Sequence, residues 1–408
     1  MRILFLSQRV PYPPNRGDKI PSYHYVRHLA RQHAVTVACL ADGPGDLANV
    51  DGLRSVVRSV IAVPRSRLGS RLRALRALAG GRPLTVAYFD EPELHAHVRT
   101  RLDAGDYDAA VVFSSGMAQY VEAYPDLPRV LQFADLDSLK WRQYADTARP
   151  PRRWVYRTEA ERLLRYERRL AHKFAQSLVC AARELGDFRR LIPGVPVRCV
   201  PNGVDLDYFR PGREARAPNS LVFTGVMNYW PNVDGVTWFC HEVLPLVRER
   251  VPDVAFTICG SSPTRPVRAL GRLPGVRVTG AVPDVRPYLA GAGVGVIPVR
   301  IARGVQNKLL EAMAMGLPTV ATPAAWAGVE AQVGRDLLVA DRPADYADAV
   351  VRLLRDRRLR DTMGRSARAA VEANYRWDRS LARLDEAIAA AVGGRPRAAP
   401  PAPVGSAV

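Results

Sequence analysis

The chain has 408 residues, 48% of them hydrophobic and 24% charged, with 59 Lys+Arg against 40 Asp+Glu for a net charge of +19. That length accommodates two domains, each able to bury its own core, and the composition excludes a disordered, collagenous or coiled-coil chain. The positive excess points to a polyanionic partner without choosing among nucleic acid, an anionic membrane face and a phosphorylated ligand.

In chain order, short apolar runs alternate with longer helical patterns, as stacked βα units do. Arg2–Ser7 reads as a strand, too short for a secretion signal or a membrane span. A Pro/Gly loop, Val10–Lys19, and a helix near Ser22–Gln32 follow it. Val35–Leu40, Ala109–Phe113, Arg129–Phe133, Ser177–Cys180 and Arg198–Val200 read as further strands, before a linker rich in Pro, Gly and charge over Pro201–Pro218. A second series opens with the strand Ser220–Thr224, a helix near Val233–Arg250 and the strand Ala255–Cys259. Strands Arg277–Thr279 and Gly293–Pro298, the helix Val305–Met315 and the strand Pro318–Ala321 come next. Helices over Ala344–Arg355, Arg358–Asn374 and Ser380–Val392 close the ordered part. The pattern predicts two doubly wound α/β halves with ligands at the carboxyl ends of their strands. Neither half has G-x-G-x-x-G after its first strand, which disfavours a nicotinamide or flavin enzyme. Cys39, Cys180, Cys199, Cys240 and Cys259 show no C-x-x-C spacing, so reduced core cysteines in a cytoplasmic protein are expected.

Chemistry concentrates in Ile297–Ala321, where a buried strand leads into a basic loop carrying Arg300, Arg303 and Gly304, then Val305, Gln306 and a helix. A glycine at a helix entry lets backbone N–H groups approach an anion, and the helix end adds a positive field. Lys308 lies in the first turn and Glu311 three residues on, so both project from one face. Lys308 would neutralise a diphosphate while Glu311 accepts hydrogen bonds from ribose hydroxyls.

These residues resemble the family-4 glycosyltransferases of the GT-B fold. The matching pieces include Val200-Pro-Asn-Gly-Val-Asp205, Val222-Phe-Thr-Gly225, Ile258-Cys-Gly260, Val278-Thr-Gly-Ala-Val-Pro-Asp284, Leu310-Glu-Ala-Met-Ala-Met-Gly-Leu-Pro318 and Gly328-Val-Glu330. Arg9-Val-Pro-Tyr-Pro-Pro-Asn-Arg-Gly-Asp-Lys19 and Phe133-Ala-Asp-Leu-Asp-Ser-Leu-Lys-Trp141 are similar to the sugar transferases associated with PEP-CTERM/exosortase exopolysaccharide clusters. The resemblance implies an α/β GT-B fold, two Rossmann-like doubly wound domains facing a central cleft. Residues 1–200 would bind the acceptor and 201–376 the nucleotide sugar, 377–392 would return as a helix to the first domain, and 393–408 would form a disordered tail. It implies retaining transfer from a nucleoside diphosphate sugar to a lipid-linked or polysaccharide acceptor, without a metal or other cofactor. It extends the donor site to Gly17, Gly225, Asn228, Gly260 and Val282, and the acceptor site to Asp18, Lys19, Asp135 and Asp137. Asp135 would serve as an acceptor-side base.

The sequence departs from the family in two places. Arg303 stands where the family usually has a glutamate, eight positions before Glu311, and Val226–Asn232 lacks the usual Arg…Lys pair that grips the diphosphate. The resulting expectation is that Arg303, with Lys308 and Arg300, takes over the diphosphate clamp and the catalytic charge. The departure also keeps open a catalytically silent GT-B scaffold, alongside a GT-B epimerase.

His24 and His28 have metal-ligand spacing but no third ligand, and the D-x-D pairs at Asp135 and Asp205 fit turn or cleft roles better than a metal. Arg65, Arg67, Arg71, Arg73, Arg76 and Arg82 alternate with Leu68, Leu72, Leu75 and Leu78, a basic amphipathic helix suited either to core packing or to an anionic membrane surface. Arg149–Lys173 is a second basic stretch, with Trp154, Tyr156 and Tyr166. No helix-turn-helix, RNP-like or zinc-finger pattern supports nucleic-acid binding. The expected location is the cytoplasm, peripheral to the inner face of the plasma membrane.

Overall fold

In the computed structural model, residues 1–212 and 216–394 are described. The first sheet has seven parallel strands: β1 (Arg2–Ser7), β2 (Ala34–Ala41), β3 (Ser59–Pro64), β4 (Ala109–Phe113), β5 (Arg129–Ala134), β6 (Gln176–Val179) and β7 (Val197–Cys199), in the order β3-β2-β1-β4-β5-β6-β7. Ile3 pairs with Val35 on one side and Ala109 on the other, so the winding reverses at β1 and opens a crevice at its carboxyl end. The central strands are buried on both faces, which is why they read as near-continuous apolar runs. Helices cover both faces, giving two core clusters, one under Leu4 and Leu6 and one under Ile3 and Phe5.

The second sheet repeats the plan with six parallel strands: β8 (Ala217–Thr224), β9 (Ala255–Cys259), β10 (Val276–Val278), β11 (Ala292–Ile297), β12 (Thr319–Ala321) and β13 (Leu338–Val339). Their order is β10-β9-β8-β11-β12-β13, with the reversal at β8. Several features differ from expectation, among them the two-residue strand β13, which was not anticipated. β3 was not anticipated, although Val60-Ile61-Ala62-Val63 is an apolar run; it is an edge strand, half exposed. The single helix expected over Val233–Arg250 is interrupted: helix Trp230–Trp238 passes through a π turn, Phe239–Val243, into helix Leu244–Arg248. Pro245 has no N–H to donate to the preceding turn, and the ladder widens immediately before it.

The chain crosses between the two units twice, side by side. Val204 donates its N–H to the Tyr375 carbonyl at 2.9 Å, joining the outgoing and returning strands of backbone. Helix Trp377–Gly393 then packs against the first sheet through Leu381, Leu384 and Ile388, in one cluster with Ile3, Phe5 and Val37. Its Asp385 accepts from His28 at 2.8 Å, and Trp377 stacks on His24 with centroids 4.3 Å apart. The helix therefore runs through Gly393, while residues 395–408, the rest of the expected tail, lie outside those described.

Candidate functional site

The floor of the site is built where β8 and β9 end. Gly225 donates its N–H to the Cys259 carbonyl at 3.0 Å, and a Cβ on Gly260 would lie 1.7 Å from the Gly225 oxygen. With Gly260 at φ +153°, only glycine lets these two backbones touch. Lys308 lies over this floor: a Cβ on Gly225 would come within 3.4 Å of its Cε. The helix that carries it, Asn307–Ala314, turns Leu309, Leu310 and Met313 into the core and leaves Lys308 and Glu311 half buried. Of the three ammonium donors, one has a partner among the described residues, Gln306 Oε1 at 3.4 Å. Burial lowers the Lys308 ammonium to about 8, against the pull of Glu311, and raises the Glu311 carboxyl to about 7, against the pull of Lys308. The pair holds opposite charges with unused hydrogen-bonding capacity, which is what an anion with a hydroxyl-bearing neighbour needs.

The loop ahead of that helix reaches across to the first unit. Gly304 adopts φ +60°, and a Cβ there would sit 2.0 Å from Asp135 Oδ1 and 2.9 Å from Cys180 Sγ. Behind it, a Cβ on Gly328 would meet the Gly304 oxygen at 2.0 Å. Gln306 Nε2 donates to the Arg303 carbonyl at 3.2 Å, and Val305 packs into the core of the second unit.

On the facing side, Ala134 at the end of β5 is held at φ +60°, a left-handed conformation costly for a residue with a Cβ. Its oxygen accepts from the Cys180 N–H at 3.0 Å, and the turn directs Asp135 toward Gly304. Asp137 opens the helix Asp137–Thr147, with its carboxyl raised by burial and Lys140 Nζ 3.9 Å away. Lys140 also lies 5.9 Å over the ring of Tyr229, a residue of the second unit.

Several expected site residues are engaged elsewhere. Arg300 makes a two-pronged contact with Asp234 at 3.0 and 2.7 Å. The expected role of Arg303 in the diphosphate clamp is not met in this conformation. Its guanidinium, 7% exposed, bonds Glu184 at 3.0 Å and Asp187 at 2.5 Å across the seam. Lys19 is likewise buried against Asp46 at 2.7 Å instead of being open to an acceptor. Asp18 pairs with Arg9 and Arg16, Gly17 is exposed, and the polar contacts of this loop remain within the first unit. Asn228 is exposed in the turn after β8, and Val282 is partly buried after β10. The structure thus groups Gly225, Gly260 and Lys308, with Glu311 as charge neighbour, at one end of the second sheet. It sets Gly304 of the loop ahead of the Lys308 helix against Asp135, and adds Lys140, Cys180, Glu184 and Asp187 along the seam. The contacts of Cys180 with Asp135 and of Glu184 and Asp187 with Arg303 carry no local signal, because these partners are distant in sequence, whereas Lys140 lies one helical turn from Asp137. Among the described residues no cluster of three or more His, Cys, Asp or Glu side chains is arranged to hold a metal ion, and no helix is long and apolar enough to cross a membrane.

Residues 218–356 match the family described as "Glycosyl transferases group 1". Over 218 residues the chain is 33% identical to a GDP-mannose-dependent alpha-(1-6)-phosphatidylinositol monomannoside mannosyltransferase of Mycobacterium tuberculosis, covering 47% of this chain and 55% of that protein. The chain therefore spans about half the length of the curated relatives it matches. Among solved structures it is similar to sucrose-phosphate synthase from Thermosynechococcus elongatus, with a TM-score of 0.71 at 16% identity over 95% of this chain and 98% of that one. Anabaena HepE in complex with UDP and glucose superposes with a TM-score of 0.68 at 15% identity, over 95% and 99% of the two chains. WaaG, a glycosyltransferase involved in lipopolysaccharide biosynthesis, gives 0.64 at 16% identity, over 96% and 100%. At these identities the likeness establishes the fold, two Rossmann-like parallel-sheet units of the GT-B type.

Proposed function

We propose that the chain is a retaining glycosyltransferase that moves a sugar from a nucleoside diphosphate sugar to a lipid-linked or glycan acceptor of exopolysaccharide biosynthesis. One observation carries this reading: Lys308, with donors to spare, lies above the Gly225–Gly260 floor and has the Glu311 carboxyl as its charge neighbour. Lys308 and the N-terminus of helix Asn307–Ala314 take the charge of the diphosphate, before and after it leaves the sugar. Glu311 orients the ribose by accepting its hydroxyls. Asp135, beside Gly304, holds the attacking hydroxyl and receives its proton. Attack on the same face from which the diphosphate departs retains the anomeric configuration.

Acceptor delivery is read from the surface of the first unit. Helix Arg67–Gly80 turns Leu68, Leu72 and Leu75 outward, 69%, 47% and 62% exposed, along with the exposed Arg67, Arg71 and Arg76. Trp154 is 68% exposed among Arg152, Arg153 and Arg157. An apolar face fringed by arginines suits an anionic lipid surface, which supports an acceptor presented at the inner face of the plasma membrane.

The mannosyltransferase relative uses GDP-mannose and HepE was solved with UDP, so GDP- and UDP-sugars are the first donors to test. A true donor raises the thermal midpoint of the purified protein, since it binds the native state, and is converted to its nucleoside diphosphate with acceptor present. Glu311→Gln is expected to lower kcat/KM by about 10- to 100-fold, the worth of a charged hydrogen bond. The presence of Arg303 in place of the family's usual glutamate favours a second reading, a silent scaffold. Donor binding with no release of nucleoside diphosphate would establish it.

A further inference from the structure

Arg303 and its partners lie on opposite sides of the seam between the two units. Its Nε donates to Glu184 Oε1 at 3.0 Å and its Nη2 to Asp187 Oδ2 at 2.5 Å. The Glu184 side chain is fully buried. Its second oxygen accepts the N–H of Leu136 at 3.3 Å, the residue directly after Asp135. One carboxylate therefore holds both the backbone beside Asp135 and the loop that carries Arg303. Gly304 is pressed against Asp135 with no room for a Cβ, and Gly328 closes behind it. Cys180, two residues before the helix Ala182–Leu191 that bears both acids, touches Asp135 Oδ1 at 3.3 Å. Glu184 and Asp187 share one guanidinium, and Arg190 gives Asp187 a second cation at 2.6 Å. A planar guanidinium fixed by two carboxylates is directional, unlike a lysine point charge.

We propose that Glu184 is a positioning residue whose bridge to Arg303 sets the register of the donor-side loop, residues 300–306, against Asp135 for the transfer step. The inference rests on the reading of the protein as a glycosyltransferase, and goes beyond it by assigning the alignment of the two halves of the site to one cross-seam contact. Donor contacts through Lys308 and Glu311 are made within the second unit, so loosening the bridge leaves them in place. The distance from the acceptor hydroxyl to the sugar is what suffers, and a misplacement of about 1 Å reduces turnover by about 10²-fold.

The test compares the full-length chain with Glu184→Gln, Arg303→Glu, Glu184→Arg and the exchange double variant Glu184→Arg/Arg303→Glu. Binding of UDP and GDP, turnover with donor and acceptor, and the solution radius of gyration are measured on each. Glu184→Gln is expected to keep its affinity for the nucleoside diphosphate, lose about 10²-fold in kcat and expand in solution. The exchange variant is expected to recover part of the loss seen in both single variants, since interacting residues are not additive. If the exchange variant does not fold, Glu184→Asp, which keeps the charge and shortens the reach, should fall between wild type and Glu184→Gln. Wild-type kcat and radius in Glu184→Gln would overturn the proposal, as would a loss confined to thermal stability or one shared equally by affinity and kcat. Wild-type protein that binds no nucleoside diphosphate overturns the functional reading instead, and the scattering comparison still decides whether the bridge holds the units in register.

Discussion

Lys308 and Glu311 are both shifted toward neutrality, from opposite directions. The carboxylate of Glu311 predominates above about 7 and the ammonium of Lys308 below about 8, so the doubly charged pair is most populated around that interval and declines on either side. The expected outcome is a bell-shaped dependence of donor kcat/KM on pH with its maximum in that window. Glu311→Gln should flatten the acid limb when donor binding is followed, and the alkaline limb should move upward in kcat, because a bound diphosphate favours the ammonium. The stability signs are opposite to those of paired surface groups. Folded Glu311 binds its proton more tightly than at its ordinary 4.5, so its contribution declines as pH rises from 4.5 toward 7. Lys308 releases its proton more readily than at its ordinary 10.5, so its contribution grows as pH rises from 8 to 10.5. Gly304 offers a second test at this scale. Gly304→Ala adds about 1–2 kcal/mol of left-handed strain and forces Asp135 away. Turnover should fall by about 10²-fold while the thermal midpoint drops by a few degrees, as kinetics and a melting scan on the same sample would show.

Helix Arg67–Gly80 shows how an element's neighbours decide the meaning of its sequence. Its leucines recur at helical spacing and read equally well as core. The structure instead turns Ser70 and Ala77 inward, pairs Arg73 with Glu91, leaves Leu68, Leu72 and Leu75 outside and half buries Leu78. The small residues let the helix lie close to the body, and Arg162 of helix Arg152–Lys173 donates to the Ala77 and Leu78 carbonyls at its end. Leu72→Ser and Leu75→Ser should each weaken sedimentation with phosphatidylglycerol vesicles by about tenfold, the worth of burying one such side chain. Melting temperature should hardly change, since neither side chain contributes to the core. Retained vesicle binding in the double variant would remove the membrane assignment while leaving the donor site untouched.

For the molecule as a whole, the returning helix Trp377–Gly393 closes the first sheet with residues from the far end of the chain. Leu384 is fully buried among Ile3, Phe5 and Val37 of that sheet. Leu384→Ala is therefore expected to destabilise the first unit by about 2–5 kcal/mol, read as a lower urea midpoint. A loss within the second unit alone would contradict this packing. The arrangement also ties the double crossing, Val204 beside Tyr375 and Trp377 over His24, to the angle between the units. The two units are thereby joined at the double crossing and again through the Glu184–Arg303 bridge.

The sequence by itself determined the α/β winding, because parallel strands buried on both faces must be written as apolar runs such as Ile3–Leu6 and Ala109–Phe113. It also determined the Lys308–Glu311 pair, since three residues on a helix fix a shared face without help from the rest of the chain. Edge strand β3 was passed over despite its apolar Val60–Val63, and β13, two residues long, is too short to carry a pattern. Only the tertiary structure decided the partners of Arg303 and Lys19, the outward turn of the leucines and the approach of Gly304 to Asp135. Glu184 lies 119 residues from Arg303, and such contacts depend on how two separately wound sheets meet, which no local spacing encodes. The net charge of +19 was accordingly legible as a sum, while its division among ion pairs, a donor cleft and an exposed basic face was decided by the fold.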